Sequence, residues 1–434
     1  MGTAAAQKVK KKTRCDKLLC NRSYDYMRNT TFVTNPPNPD EKQLIQRAKD
    51  GNVSAQIDLA FSYESAGNTE LAAHWMDQAG ATGDAAAKMQ RAAWKLYGTN
   101  FDRDEEAAFL EIQEVASAGG EGNSRTFLAV LLAYGIGCDR DWRQAVEWVA
   151  CNARAGHARS ILQLALLLPD RPENIPLTQS LLNCAARLDS QAIASRGHEP
   201  AGVQIQVSEL DAAAAIVADC DAALWRPATT TVFSERPRVD IYPNVAPDLW
   251  RRHVVRMAQP LLHGAHVKDA NSGRRIRDPM RTNTVSLIEL WQSDLVFYAL
   301  SARIASATGD PINRLEPPNI LNYRPGQTYQ AHFDFINPDV PFFQNELSAQ
   351  GQRIKTPLIY LNDNYQGGAT EFPELKRGYK GVAGDLLVLH NTDKDGNPDR
   401  QSLHIGAPPT SGAKWVFSTR VRTKPQVARI WPDI

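Results

Sequence analysis

Four residues in the first half of the chain recur as a group. Ala72, Trp75, Gly83 and Ala85 reappear as Ala145, Trp148, Gly156 and Ala158, each 73 positions further on. Such an offset constrains the fold strongly. A short repeated unit cannot bury its apolar face alone and must stack on its neighbour. The offset equals two units of about 36 residues, a length typical of paired-helix repeats. A worn unit lies between, marked by Ala107, Ala108, Ala116, Ala118 and Gly119. The clearest unit reads SAQIDLAFSYESAGNTELAAHWMDQAGATGDA, with Ala55, Leu59 and Tyr63 on a first helix and Ala72, Trp75 and Ala79 on a second. Spacings of three and four put each set on one helix face. Small Ala allows close approach, Trp and Tyr fill the space between pairs, and Gly closes a helix in the left-handed conformation.

This pattern resembles the Sel1-like repeat family, with its A…L…Y…G and A..W…A…G…A text over about 140 residues. The resemblance implies an α-solenoid over 41–190 whose concave face binds protein. Residues 1–40 read as a basic, partly disordered tail, with Lys8, Lys10, Lys11, Lys12 and Arg14 before Pro36, Pro37 and Pro39. It is the one segment with a nucleic-acid flavour. The whole chain carries 49 Lys+Arg against 48 Asp+Glu, a balance unlike that of a protein built to grip nucleic acid. The apolar runs near Phe127–Tyr134 and Ile161–Leu168 are too short to span a bilayer, so no membrane partner is expected. No apolar stretch follows the basic start, and none of the six Cys forms a CxxC pair. Both point to a reduced, cytoplasmic protein without a disulfide framework or structural zinc.

The texture changes downstream. Residues 191–234 read as a helical connector with an Ala-rich helix near Glu209–Leu224. Asp248–Leu262 and Ser293–Thr308 read as amphipathic helices. From Ile320 onward come short β-type runs, ILNYRPG, PLIYLND, DLLVLHN and KWVFSTRV, broken by Gly, Pro, Asn and Asp. That spacing suggests a sandwich or barrel.

Among nine His, only His332 is followed two positions later by Asp, at Asp334. Positions i and i+2 of a strand face one way, so imidazole and carboxylate share a pocket. Alone this is weak, since nine His would yield about half a His-x-Asp by chance. Downstream stand His404 and, ten residues later, Lys414. Two His and one carboxylate form the facial triad of non-haem Fe(II) oxygenases, leaving open positions for a 2-oxo acid and O2. A lysine can meet the far carboxylate of that acid as a point charge. His390, at the end of an apolar strand, is the rival third ligand, although it lacks the G-x-K-W sequel of His404.

The surrounding text resembles the prolyl 4-hydroxylase family of Fe(II)/2-oxoglutarate dioxygenases. It includes NYRPGQTYQAHFD, QRIKTPLIYLND, GGATEFP, KGVAGDLLVLHN and SLHIGAPPTSGAKW, in the family's order and spacing, with DPMRTNT before them. The resemblance covers about 235–425, with 426–434 as a C-terminal tail. It implies a double-stranded β-helix (jelly-roll) domain after the solenoid, a multidomain α + β chain. It implies His332, Asp334 and His404 as iron ligands and Lys414 on the 2-oxoglutarate C5 carboxylate. Tyr360 would share that carboxylate, and Tyr323 would line the co-substrate pocket. Arg353 and Trp415 would stand on the substrate side, and Thr370 matches the family's GGxT. The implied reaction hydroxylates a prolyl or other residue of a protein or peptide, with succinate and CO2 as co-products and ascorbate as reductant.

Two other readings follow from the same text. One is a hydroxylase of free proline or another small metabolite. The other is a repeat-based adaptor with a sensory or inactive oxygenase domain. Phe335–Arg353 suits a lid over a peptide or an apolar plug. The oxygenase motifs all lie after residue 275, so their chemistry is expected to survive separation from the repeats, provided the preceding helices do not rest on them.

Overall fold

The computed structural model describes residues 39–119, 122–188, 205–221, 229–268, 275–277 and 279–426. The basic tail, the C-terminal tail from 427 and parts of the connector lie outside these residues. The chain divides into two compact units, Met1–Ser124 and Arg125–Ile434.

The first unit is helical. Its helices are Pro39–Lys49, Val53–Ser65, Thr69–Ala81, Ala85–Tyr97 and Glu105–Ser117. Local chemistry sets their ends. Asn52, Asn68, Asp84 and Asp104 each cap a helix by accepting the backbone amide three residues on. Ala60, Ala72, Met76 and Trp94 form one core cluster, with Tyr63 and Trp75 packed against it. Ala48, Ala55 and Leu59 form a second, and Tyr63 and Trp75 pack there too. The two aromatics therefore fill space on both sides, as the repeat pattern requires.

The repeat is visible in the helix boundaries. Thr69–Ala81, Glu105–Ser117 and Trp142–Arg154 are each 13 residues long and begin 36 and 37 positions apart. Gly83 and Gly156 sit at φ +84° and +83°, a conformation costly for any residue with a Cβ.

The second unit continues the helical pattern with Trp142–Arg154, Ala158–Leu167, Ile175–Leu188 and Val207–Ala218. A nine-stranded antiparallel sheet follows, here the major sheet. Its central strands are Leu386–His390, Arg353–Tyr360, Lys414–Ser418 and Asn319–Tyr323, in that spatial order. A four-stranded minor sheet runs Arg377–Tyr379, Thr370–Phe372, His404–Gly406, Tyr329–His332. Val239, Leu321, Leu358, Tyr360, Leu387 and Val416 of the major sheet share a core with Phe372 of the minor one. This is the jelly-roll architecture.

The helices Asp248–Ala258 and Leu295–Thr308 connect the major sheet to the last repeats. Phe297 meets Phe417 of the sheet at 6.3 Å between ring centroids. On the other side, Tyr298 stacks on Trp142 at 5.6 Å, and Trp250 donates to the Leu166 carbonyl at 2.5 Å. Arg159 reaches the buried Asp294 carboxylate and the Gln292 carbonyl, while Gln163 accepts from the Leu295 amide. The helices before the sheet thus rest on the repeat helices of the same unit. No helix among the described residues is long and apolar enough to cross a membrane.

Candidate active site

Strand register builds the centre. His404 lies directly opposite His332 in the minor sheet, and Asp334 follows two residues after His332. A ligand atom from each lies within 4.8 Å of the others, the one such cluster of three among the described residues. His332 Nδ1 bonds to the Gln330 carbonyl at 2.7 Å and His404 Nδ1 to the Ser402 carbonyl at 3.0 Å. Each ring thereby spends its Nδ1–H on the backbone and turns the Nε2 lone pair toward the shared point. The two Nε2 atoms lie 3.9 and 3.4 Å from the Asp334 oxygens.

Burial, then the neighbouring His404 ring, pull the His332 imidazole down to about 3, so it stays neutral and able to donate a lone pair. Burial alone would raise the Asp334 carboxyl. The Arg420 guanidinium outweighs it and holds Asp334 well below the usual range. Arg420 donates to Asp334 Oδ1 and Thr356 to Oδ2, each at 2.8 Å, and Asn391 in turn donates to Thr356 at 2.9 Å. Two imidazole nitrogens and one oriented carboxylate are the donor set of the facial triad, so these residues fit Fe(II).

Across the pocket stands Lys414, 2% exposed on the major sheet. Its Nζ donates to the Gly368 carbonyl at 2.8 Å and lies 5.4 Å from the ring centres of both Tyr323 and Tyr360. With no carboxylate beside it, burial pulls its ammonium down to about 7. Tyr360 pairs its hydroxyl with Thr370 at 2.8 Å. Tyr323 and Thr370 line the pocket with Lys414, and Tyr360 touches it through its bond to Thr370, so an anion arriving here would meet a desolvated cation.

Alternation along the Lys414–Ser418 strand sorts its side chains. Lys414, Val416 and Ser418 line the iron pocket with Tyr323, Tyr329, Thr370, Arg281 and Arg420. Trp415 points the opposite way. It lines a separate cleft with Arg251, Arg252 and Asn362, so the structure does not bring it to the triad. Arg353 is held by Glu316, at 2.7 and 3.2 Å, and does not line the pocket either. His390 bonds to Asp240 at 3.0 Å and stands outside the ligand cluster. The Phe335–Arg353 segment carries a short helix, Gln344–Gln350, tied down by Arg422 bonds to Glu346 and the Gly351 carbonyl.

Sequence reasoning did not single out Arg420, Thr356, Asn391, Tyr329 or Arg281. A signal existed for two of them. Arg420 shares the parity of Lys414, and Thr356 that of Tyr360.

Residues 318–422 match the model of the 2OG-Fe(II) oxygenase superfamily. Probable prolyl 4-hydroxylase 3 of Arabidopsis thaliana is 30% identical over 207 residues, which cover 43% of this chain and 69% of that protein. The chain belongs to the prolyl 4-hydroxylase family. Probable prolyl 4-hydroxylase 7 of the same plant is also 30% identical, over 46% of this chain and 66% of that protein. The family member described here thus spans about two thirds of these relatives' length.

Among solved structures, a viral collagen prolyl hydroxylase from Paramecium bursaria Chlorella virus-1 is similar at 19% identity. That match covers 43% of this chain and 96% of the viral one, with a TM-score of 0.34. A Sel1 repeat protein from Oxalobacter formigenes is similar at 25% identity, over 28% of this chain and 95% of that one, with a TM-score of 0.26.

Proposed function

We propose that this chain hydroxylates a prolyl residue of a protein or peptide, using Fe(II), O2 and 2-oxoglutarate. The observation that carries the reading is a buried, charge-poised pocket. A two-His, one-Asp cluster faces it from one sheet and a desolvated lysine from the other. When bound, iron and 2-oxoglutarate supply the oxidising chemistry: one oxygen atom enters the substrate, the other enters succinate, and CO2 leaves.

The chain's own residues bind and orient. His332, Asp334 and His404 hold the metal, with Nδ1–carbonyl bonds fixing both rings. Thr356, Asn391 and Arg420 fix the carboxylate. Lys414 takes the C5 carboxylate of 2-oxoglutarate through a charge-assisted bond, with Tyr360 and Tyr323 on either side. The apolar walls Leu321, Leu358 and Val416 exclude water.

Ascorbate is the reductant expected to sustain turnover. The described cysteines, Cys138, Cys151, Cys184 and Cys220, are all unpaired, which suits a reducing cytoplasmic setting. The repeats supply a recruiting surface for the protein target. A free amino acid would need no such surface, which favours the protein reading.

Two measurements test this. Purified protein should consume 2-oxoglutarate in an Fe(II)-dependent manner, faster with a peptide than with free amino acids. Mass spectrometry of the host proteome, with and without the gene, should find a protein that gains one oxygen atom on proline. A proteome unchanged by the gene, with turnover stimulated by free proline instead, would replace the protein substrate with a metabolite.

A further inference from the structure

The walls of the iron pocket are cationic beyond what its own chemistry uses. Among the described residues, Arg281, Lys414 and Arg420 line it against a single carboxylate, Asp334. The two charges of Fe(II) and the two of 2-oxoglutarate sum to zero, so binding both leaves that balance of three cations to one carboxylate unchanged. Of the two arginines, Arg420 bonds the one carboxylate, also a proposed metal ligand, and Arg281 bonds no carboxylate among the described residues.

Among the described residues, neighbouring charges do not correct the excess. Arg353 and Arg422 lie beside the pocket, but Glu316 takes both, and Arg422 also reaches Glu346 at 2.6 Å. That group is balanced within itself.

The bonds of the two arginines are incomplete. Among the described residues, Arg281 makes only long contacts, 3.4 Å to Asn283 Oδ1 and 3.5 Å to the His266 carbonyl, and otherwise lies over the Tyr329 ring at 4.7 Å. Arg420 is 17% exposed at its side chain, and its Nε is buried without a partner among the described residues. Its NH1 donates to Ser418 Oγ and the Thr419 carbonyl, and its NH2 to Asp334. Metal bound to Asp334 draws on the same carboxylate, the one ionic partner Arg420 has among the described residues. A buried N–H without a partner is costly, and a buried charge more so.

Resting on the hydroxylase reading above, we propose that Arg281 and Arg420 form an acidic-residue subsite, so the target proline is flanked by Asp or Glu. The incoming carboxylate would satisfy both guanidiniums, and a peptide with Lys at that place would be repelled. Discrimination then comes from repulsion as well as attraction.

The test is equilibrium binding, not turnover. Full-length protein carries Mn(II) in place of iron and N-oxalylglycine in place of 2-oxoglutarate. Fluorescence anisotropy follows short labelled peptides with a central proline flanked by Glu, Gln or Lys. The Glu peptide should bind about tenfold more tightly than the Gln peptide, the scale of one charge-assisted bond, with the Lys peptide weaker still. Arg420→Gln should shrink the Glu preference. Arg281→Glu should reverse it and gain affinity for the Lys peptide, a gain that a misfolded protein cannot show.

Equal binding of all three peptides by wild type, or a Glu preference untouched in both variants, overturns the subsite and leaves the hydroxylase reading standing. If N-oxalylglycine binds but no peptide does, the peptide-hydroxylase reading itself falls, and the subsite with it.

Discussion

The helical repeats and the strands around the iron pocket hold their shape by opposite means. Thr69–Ala81 and Trp142–Arg154 have matching bounds because each carries its own signals: an Asn or Asp cap, small residues on one face and a Gly after the end. Nothing distant is needed to start or stop them. The pocket has no such autonomy. His332, Thr356, His404, Lys414 and Arg420 meet only because antiparallel register aligns strands far apart in sequence. One region is written locally and copied; the other exists only once the whole sheet has formed. Substitutions in the repeats should therefore act gradually, and those in the pocket abruptly.

The largest expected effect breaks the boundary between the two kinds of structure. A fragment spanning residues 230–434 keeps every pocket residue but loses the helices that cover Trp250, Asp294 and Tyr298, all buried. It also loses Arg159, a partner of Asp294. It should fail to give a cooperative thermal transition, whereas Arg125–Ile434 should fold and bind Mn(II) and 2-oxoglutarate. A shorter fragment that melts cooperatively and binds both would show that the last repeats are dispensable.

Next comes the metal. His404→Ala leaves two ligands, and Mn(II) affinity should fall by more than the 10–100-fold typical of losing a supporting hydrogen bond to a ligand. Turnover should drop to background. His390→Ala should keep its metal, because His390 is spent on Asp240. Isothermal titration of both variants decides between the two histidines.

Lys414 sharpens the contrast through pH. Lys414→Ala should raise the 2-oxoglutarate KM by about one to two orders of magnitude, the equivalent of about 1.5–3 kcal/mol, with metal affinity little changed. In the folded protein its ammonium titrates near 7, against an ordinary 10.5. The unfolded chain thus holds more protons between those values, so the lysine's contribution to stability rises with pH across that window and is flat below it. Co-substrate binding runs the other way, since the C5 carboxylate needs the protonated form. Above pH 7, binding should take up one proton and weaken by about tenfold per unit. Calorimetry in buffers of different ionisation enthalpy measures that proton directly, and a heat independent of buffer would remove Lys414 from the role.

The same contrast governs which features are legible in the amino-acid sequence. The repeats are legible because their signals are local: Gly83 and Gly156 sit where the pattern needs a left-handed residue. The triad and Lys414 are legible only through a dense motif. Beyond the motif, adjacency misleads. Trp415 follows Lys414 in the chain yet faces the other side of the sheet. Arg420, six residues on and of the same parity, reaches the iron-ligand carboxylate. Asn391 carries no parity signal relative to Asp334, because only the pairing of Leu386–His390 with Arg353–Tyr360 brings it beside Thr356.

The smallest effect tests whether the two compact units respond separately. An added Cβ at Gly83 or Gly156 meets nothing within 4 Å, so Gly→Ala at either costs only the strain of a left-handed alanine, about 1 kcal/mol. The two sites are matched in φ and in surroundings, but Gly83 lies in the first unit and Gly156 in the second, with the pocket. Mn(II) and 2-oxoglutarate bind only the folded second unit, so they stabilise it by mass action. Adding them should therefore offset the loss in Gly156→Ala and leave the loss in Gly83→Ala in place. Hydrogen exchange, read separately in helices Thr69–Ala81 and Trp142–Arg154, distinguishes the outcomes. If the ligands protect both helices equally, the units unfold as one, and the local character of the repeats ends at the level of single helices.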